Sequence, residues 1–364
     1  MKISNSKTKA FALLEAAFVL LIALMFTACP NSAGGSGSGG GETSAYDVYV
    51  SVTSNNKAYV YKNGSPTALS AEVSGNRMGC DAVKALGTNV YIAGDEQEHG
   101  AAKPRVWKAD GSPYWRGTNR WSSAYDIALH NGKTLVAGKT HDGTDIGASI
   151  TDISDPGNPA VTFLYKITSS ESAVAQALCS GSGKVYAAGY KGNGSTKKAF
   201  LWTLPDGGTV SEVELGIMQA SAHDSGTSIA GVCMQGGSVY VAGKKLWKVD
   251  GTTVTEINVP DAAIITAVCA HGTAVYAAGK KMNANPAVWK IEGASASLYT
   301  TLSANTSHVY ALCAFGSTLF AAGQTDDGGI LKPAWWSIAD DLTVTENILG
   351  SDYGEAHGIC VTPQ

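Results

Sequence analysis

One short phrase returns along this chain at intervals of 36 to 54 residues. Each copy joins a run of very small residues, typically VYxAG, to a large aromatic residue a variable distance downstream. Such a regular return predicts a repeat architecture, because one unit of this size cannot bury its own apolar face and must stack on its neighbours. The small-residue runs begin at Val48, Val90, Leu135, Val185, Val239, Val275 and Leu319.

The unit is clearest in residues 307–348, where the pattern predicts four short strands joined by a tight turn, a variable loop and a second turn. Four strands per repeat predict a β-propeller blade. Residues 355–364 read as a first strand with no successor, and residues 48–70 as second, third and fourth strands with no first. We therefore predict an all-β fold for residues 44–364: a seven-bladed β-propeller of four-stranded blades, the last blade closed by both termini.

Propeller blades diverge from a central axis, so the space between neighbouring blades widens outward. This geometry predicts small residues on the two inner strands and a large aromatic residue on the third strand. The tryptophans keep one phase in the repeat, so we expect packed core rather than a ligand-stacking surface. They are Trp107, Trp202, Trp247, Trp289 and Trp336, with Tyr61 at the matching place in the first unit.

Five of the seven cysteines share one register of the first strand, where two other units have Lys84 and Leu129. Because non-cysteine residues occupy the same position in these two units, the repeat does not require disulfide pairing. We expect small buried thiols that fill space near the axis. Cys80 lies outside the register and is expected to be a thiol as well. The five in register are Cys179, Cys233, Cys269, Cys313 and Cys360.

The N-terminal segment differs from the rest of the chain. Residues 1–28 have three lysines followed by an apolar run, which predicts a signal peptide. The run ends in FTAC, which resembles a bacterial lipobox with Phe26 in place of the usual leucine, so Cys29 is the predicted lipidation (palmitate) site. An ordinary signal peptide with a chance cysteine is the alternative. Residues 29–43 are then the lipidated cysteine and a Gly/Ser linker with a reach of roughly 20 Å.

Composition excludes several functions. The net charge is −4 with no basic cluster, so we expect no nucleic-acid partner. The sequence contains no nucleophile elbow, HExxH motif or phosphate-binding glycine loop. Its Asp-Gly-rich segments lack the spacing of a calcium loop. We predict no catalytic residues of a known motif, no cofactor, no metal and a monomeric chain.

Connections between the second and third strands, and between the fourth strand and the next first strand, are predicted to share one face, the loop face. Its segments include 95–105, 112–125, 139–147, 190–198, 219–228 and 324–329. Exposed tryptophan beside arginine is typical of recognition hot spots, and we treat YWRGTNRW as a candidate binding loop. In the alternative interpretation, Trp115 and Trp121 pack over the end of the blade and bind no ligand. The candidate residues are Tyr114, Trp115, Arg116, Arg120 and Trp121.

A second candidate is an axial ring, three residues before each cysteine position. Its members are mostly polar in an otherwise apolar strand, and we favour hydrogen bonding between blades and with channel water. Three of them, at positions 81, 126 and 357, are the only group considered for acid–base or metal chemistry. The polar members are Asp81, Asp126, Gln176, Thr266, Tyr310 and His357, with Ala230 in the remaining unit.

The rhythm of VYxAG, AxxWK and xDG units resembles kelch-like and NHL-like propellers, and is most similar to repeat lipoproteins of spirochaetes and related bacteria. The repeats have Ala-Gly where kelch units have Gly-Gly, and they lack the Trp-Asp of WD repeats. The resemblance implies a propeller fold and a location in the cell envelope, anchored in the outer membrane or at the cell surface; it transfers no functional residues.

Three functions are consistent with these observations. The first is a lipid-anchored binding module for protein or glycan that acts through the loop face and is not an enzyme. The second is a propeller glycan hydrolase or lyase with acids near the central channel. The third is a purely structural envelope lipoprotein.

Overall fold

The computed structural model describes residues 46–118, 122–168, 171–193, 197–218, 229–283, 285–303 and 307–364. These residues form 28 strands in seven four-stranded antiparallel sheets, which confirms the predicted seven-bladed β-propeller. The predicted signal peptide, Cys29 and the linker lie outside the described residues. Within those ranges no helix has the length and apolar character needed to cross a membrane.

Blades are numbered here from 1 to 7 in chain order. Blade 1 has the strand order β28-β1-β2-β3, and blades 2 to 7 each contain four consecutive strands, from β4–β7 to β24–β27. The strands are β1 Tyr46–Ser54, β2 Lys57–Lys62, β3 Ser65–Ala68, β4 Arg77–Leu86, β5 Asn89–Glu98, β6 Ala101–Lys108, β7 Pro113–Arg116, β8 Ser123–His130, β9 Lys133–His141, β10 Ile146–Asp152, β11 Ala160–Lys166, β12 Ser172–Gly181, β13 Lys184–Gly192, β14 Lys198–Pro205, β15 Ser211–Ile217, β16 Gly231–Gln235, β17 Ser238–Ala242, β18 Leu246–Asp250, β19 Thr253–Ile257, β20 Ala262–His271, β21 Ala274–Lys281, β22 Pro286–Glu292, β23 Ser295–Thr301, β24 Ser307–Phe315, β25 Thr318–Asp327, β26 Ile330–Ile338, β27 Val344–Ile348 and β28 Gly354–Pro363.

Both ends of the described chain meet in blade 1, as the sequence predicts. Strand β28 pairs with β1 from Gly354 opposite Ser54 to Pro363 opposite Tyr46. The last strand of the chain is thereby the innermost strand of the first blade. The ring closes without an unpaired edge between its first and last elements.

The third-strand tryptophans form the core between blades, and none of the five is more than 2% exposed. Trp202 of blade 4, for example, packs on Ala137 and Leu164 of blade 3. Tyr61 pairs with Val50 and takes the matching place in blade 1. Blade 3 has Thr151 there, opposite Val136.

The innermost strands carry a β-bulge at one repeated position, which explains the Ala-Gly pair of the repeat. In blade 4 the ladder register shifts between Ala175 and Ala177, so Gln176 has no partner in β13. The carbonyl of Val174 then approaches Gly189 so closely that a Cβ there would lie 1.9 Å from its oxygen. The same approach, within 1.9–2.1 Å, occurs at Gly94, Gly138, Gly279 and Gly323.

All six cysteines of the described residues are thiols rather than disulfides, as expected from their register. Cys80 is fully packed in the core between blades 1 and 2, where it bonds to the Thr53 hydroxyl. Burial raises the pKa of its thiol to about 12. The Cys80 side chain is therefore an uncharged packing group.

The two faces of the ring are those predicted, although the lengths of some connections are not. Tyr46 lies on the face of the first-to-second and third-to-fourth turns, here called the turn face. On the loop face, two predicted variable segments are mostly strand: β5 and β6 leave only His99 and Gly100 between them, and β25 extends to Asp327. The positive φ angles of His99 and Gly100 form a tight hairpin that lets both strands continue.

Candidate functional site

The bulged residues of the innermost strands form the predicted axial ring, with one correction. In blades 1, 2, 4, 6 and 7 the bulge places the predicted residue outside the ladder: His357, Asp81, Gln176, Thr266 and Tyr310. Ala230 directly precedes β16 in blade 5. In blade 3, however, the register shifts between Ala124 and Asp126, so the ring member is Tyr125.

Asp126 is therefore not a ring residue. Counting from Leu135 as the start of the second strand shifts the predicted ring position of blade 3 by one residue. Aligning Ala137-Gly138 with the Ala-Gly pairs of the other blades gives the observed position, Tyr125. The Asp126 carboxylate accepts hydrogen bonds from its neighbour Ile127 N (2.8 Å) and from Leu178 N of blade 4 (2.8 Å). Its role is to connect blades 3 and 4.

Two ring residues likewise connect neighbouring blades, as the sequence analysis favoured. Gln176 Oε1 accepts a hydrogen bond from Ile229 N, just before blade 5 (3.1 Å). The Thr266 hydroxyl of blade 6 donates to the carbonyl of Val309 in blade 7. Both side chains are committed to the scaffold.

Three further ring residues, in blades 7, 1 and 2, belong to a larger polar group that we call the axial cluster. Tyr310 stacks obliquely on His357, with ring centroids 5.1 Å apart, and His357 Nε2 lies 3.0 Å from Glu355 Oε2. Asp81 follows in blade 2 and interacts electrostatically with His357. The axial cluster consists of Asp81, Asp95, Lys280, His308, Tyr310, Gln324, Tyr353, Glu355 and His357.

Hydrogen bonds hold the blade 7 side of the axial cluster in place. The Tyr310 hydroxyl donates to Gln324 Oε1 (3.0 Å), and Gln324 Nε2 donates to the carbonyl of Gly354 (3.1 Å). The Tyr353 hydroxyl donates to Glu355 Oε1 (3.1 Å). Gln324 is 2% exposed, so this connection between blades 7 and 1 is rigid.

A histidine and a lysine extend the axial cluster toward blade 6. The His308 ring is parallel to Tyr310, with centroids 6.0 Å apart, and its Nε2 lies 3.3 Å from Lys280 Nζ. Burial and the Lys280 charge lower the pKa of His308, so the neutral ring accepts from the ammonium. His308 Nδ1 is buried without a hydrogen-bond partner among the described residues.

The acids of the axial cluster have different electrostatics. Burial raises the pKa of Asp81 to about 7; the charge of His357 acts in the opposite direction, and the charges of Asp95 and Asp126 raise the pKa further. Burial likewise raises the pKa of Asp95 to about 6. The hydrogen bond from His357 instead lowers the pKa of Glu355. Near neutral pH the cluster therefore holds two largely ionised carboxylates, Asp95 and Glu355, and one carboxyl group, that of Asp81, which is about half protonated.

The candidate binding loop is largely not an exposed loop. Tyr114, Trp115 and Arg116 belong to the fourth strand, β7, and Trp115 is 6% exposed. It packs on Ala124, Ile127 and Ile153 of blade 3, where that blade has no third-strand tryptophan of its own. This corresponds to the alternative in which Trp115 caps the blade. Arg120 and Trp121 lie outside the described residues.

Sequence reasoning missed a buried ion network beside this strand. Arg105 Nε donates to Glu96 Oε2 (2.9 Å) and its Nη2 to Glu72 Oε2 (2.8 Å), while Arg116 pairs with the other oxygen of Glu72. Glu96 and Arg105 are 0% and 2% exposed. Burial alone would raise the pKa of Glu96, but hydrogen bonds from Asn76, the backbone and Arg105 hold it below its usual value.

The network attaches the connection 69–76 to blade 2. Glu96 accepts from the backbone N–H groups of Glu72 (3.0 Å) and Val73 (3.2 Å) as well as from Asn76 Nδ2 (2.9 Å). The sequence predicts residues 95–105 as an exposed loop, and charged residues in an exposed loop give no indication that they are buried. The ion network was therefore not predicted. A charged pair at inward positions of a long hairpin is the signal that could have revealed it.

The axial cluster can bind, orient or exchange protons with a polar ligand. No three His, Cys, Asp or Glu side chains in the described ranges are placed to hold a metal ion. The axial cluster contains hydrogen-bond donors and acceptors, and both basic and acidic side chains, on strands of adjacent blades.

No protein-family model and no curated protein matches this chain. Solved structures match it at low identity. The crystal structure of the computationally designed Ika8 protein is 14% identical with a TM-score of 0.44, over 79% of this chain and 89% of that one. YjhT is 11% identical with a TM-score of 0.46, over 73% and 96%. Sqt1 from Chaetomium thermophilum, bound to the N-terminus of the ribosomal protein L10, is 13% identical with a TM-score of 0.46, over 76% and 77%.

Proposed function

We propose that this chain is a lipid-anchored β-propeller of the cell envelope and acts as a non-enzymatic binding module for a protein or a glycan. The axial cluster is the observation that carries the binding role. Its side chains are held by the ladders of adjacent blades and by hydrogen bonds between them, so a ligand would order few groups on binding. Preorganisation of that kind favours affinity.

The axial cluster is a better recognition surface than the β7 segment. Trp115 is buried between blades, and Arg116 is already paired with Glu72. His357 and Glu355 are 25% and 31% exposed in their side chains, so both remain accessible from solvent. Recognition on the loop face is therefore centred on the axis in this proposal.

The binding role is tested with the full chain in detergent micelles on an array of matrix proteins and glycans. His357→Ala removes the contacts of this ring with Tyr310 and Glu355, and His271→Ala on the turn face is the matched control. We expect a ligand captured by the unmodified chain to be lost with His357→Ala and kept with His271→Ala. Equal capture by both variants would place recognition elsewhere.

The lipid anchor is supported by the lipobox-like FTAC and by the position of Tyr46 on the turn face. A tether leaving that face would direct the loop face away from the membrane. Expression of the full chain in a bacterium with an alkyne analogue of palmitate tests the anchor. Label is expected on the unmodified chain and not on Cys29→Ser; label on both, or on neither, contradicts it.

Glycan hydrolysis or lyase chemistry is the second candidate, favoured by one observation. Asp81 has a pKa of about 7 and interacts electrostatically with His357, which suits proton transfer at neutral pH. The test is a screen of glycan substrates with Asp81→Asn as control. Turnover that disappears in this variant, while ligand capture persists, would replace the binding role with an enzymatic one.

A further inference from the structure

A cavity of about 270 Å³ lies between blades 2 and 3, away from the axis. The side chains that matter for its chemistry are Pro104, Trp115, Arg116, Ser122, Thr140 and Thr151. It is separate from the axial cluster, so a ligand here would leave the proposed function untouched.

The cavity exists because blade 3 departs from the repeat. Where Trp202 and Phe200 of blade 4 face blade 3, blade 3 presents Thr151 and Ser149 toward blade 2, opposite Val136 and Gly138. Trp115 reaches across from blade 2 and fills the inner part of this space. The tryptophan of this interface therefore stands on blade 2 instead of blade 3, and the described residues leave the outer part of the space unfilled.

The lining combines buried hydroxyl groups with proline and tryptophan side chains. Ser122 is 1% exposed and Thr151 5% exposed, and the Ser149 hydroxyl donates to Thr140 Oγ1 (2.7 Å). Trp115 is 6% exposed, and its indole Nε1 is buried without a hydrogen-bond partner among the described residues. A buried donor without an acceptor is uncommon in folded proteins.

The charges of the lining residues restrict which ligands the cavity can bind. Among the described residues that line the cavity none is acidic, and the one cation among them, Arg116, is paired with Glu72. The lining therefore suits a nearly neutral ligand. Hydroxyl groups, an indole ring and proline rings together match a molecule that has both C–H faces and hydroxyls.

We propose that this interblade cavity binds one neutral sugar ring, as a free monosaccharide or as the end of a glycan. A sugar hydroxyl supplies the acceptor that the Trp115 N–H lacks, and others exchange hydrogen bonds with Thr140, Thr151 and Ser122. The volume corresponds to the share of roughly nine liquid waters. It lies below the range for drug-sized ligands and suits a single ring.

The test uses the full chain in detergent micelles with glucose, galactose, mannose and N-acetylglucosamine as probes. Saturation-transfer NMR reports contact, and tryptophan fluorescence gives the dissociation constant. Thr151→Trp introduces the tryptophan that five other blades have at this position and fills the cavity, so the signal is expected to disappear while the melting temperature is kept. His357→Ala, in the axial cluster, is expected to bind the sugar as before, which separates this site from the proposed function.

A second variant keeps the proposal falsifiable if Thr151→Trp does not fold. Thr151→Val preserves the shape and removes one hydroxyl, and it is expected to weaken binding about tenfold. The control Thr345→Val, on the exposed β27, is expected to change nothing. Absence of saturation transfer from all four sugars would overturn the proposal, and so would unchanged affinity in both Thr151 variants.

Discussion

Single residues set the geometry of the axis. Gly189 is required because the bulged first strand brings the Val174 carbonyl to the place where a Cβ would be. The sequence predicts small residues here from crowding between blades, and the structure gives a closer cause in one backbone oxygen. The bulge itself could not be predicted, since no residue type in the first strand signals it and only the ladder register reveals it.

A methyl group at this position should be costly. Gly189→Ala must move the Val174 carbonyl or break the bulge, and we expect a loss of about 3 kcal/mol in the free energy of unfolding. Urea denaturation measures it. Gly157→Ala, an exposed position with only ordinary contacts, is the control and should change stability by less than about 0.5 kcal/mol. Similar values for both variants would remove the proposed clash.

Asp81 makes stability depend on pH. Its folded pKa of about 7 lies above the ordinary value of 3.8, so the folded state holds this proton more tightly than the unfolded state. Stability from this group is complete below about pH 4 and is lost as pH rises toward 7. Asp81→Asn cannot ionise, so its advantage in melting temperature over the unmodified chain should grow by roughly 2–4 °C between pH 4.5 and pH 8.

Thermal unfolding at the two pH values is the measurement. Asp340→Asn, on an exposed residue near the turn face, serves as the control and should show no such growth. A constant difference for Asp81→Asn across this pH range would mean that the carboxyl group titrates normally in the folded protein.

Whole elements were predicted better than their ends. The seven sets of strands follow from the periodic pattern of small and aromatic residues, which packing between blades enforces. The hairpin of β5 and β6 extends past its predicted end because His99 and Gly100 adopt positive φ, a choice that local composition does not reveal. Its extension is what places Glu96 and Arg105 in the core.

In the buried ion network, removing one charged partner should destabilise the fold more than removing both. Arg105→Met leaves Glu96 buried beside Glu72 without a cation, and we expect a loss of about 3–5 kcal/mol. In the double variant Glu96→Gln/Arg105→Met no buried charge is left unpaired, so most of that loss should be recovered. A double-mutant cycle by chemical denaturation measures the coupling. A loss below about 1 kcal/mol for Arg105→Met would show that solvent reaches Glu96.

The molecule as a whole is a ring closed by its ends. This closure was predictable, because residues 355–364 and residues 48–70 supply complementary parts of one blade. The position of the axial cluster was predictable only in part. The polar register identified Asp81, Tyr310 and His357, but not Gln324, which connects Tyr310 to the Gly354 carbonyl of blade 1, or Glu355, which lies beside His357 on β28. Contacts between blades depend on how the blades pack, which a repeat pattern does not encode.

Removing the closing strand tests how far the ring depends on it. A chain truncated after residue 353 lacks β28, so Val50 and Val52 lose their partner strand. We expect the cooperative thermal transition to broaden or disappear. A synthetic peptide of residues 354–363 should restore it by adding the strand in trans. A chain lacking only residues 363–364 is the control, and a normal transition without β28 would show that six blades suffice.

The repeated bulge has a consequence for variation among chains of this design. In six blades the bulged residue has no partner in the second strand, so its side chain is excluded from the ladder. Gln176 and Thr266 are tied to a neighbouring blade by hydrogen bonds, but the other ring positions can be exchanged with little effect on folding. Their natural identities already range from alanine to tyrosine, aspartate and histidine. A combinatorial library at these exchangeable positions would explore many ligand specificities on one unchanged scaffold.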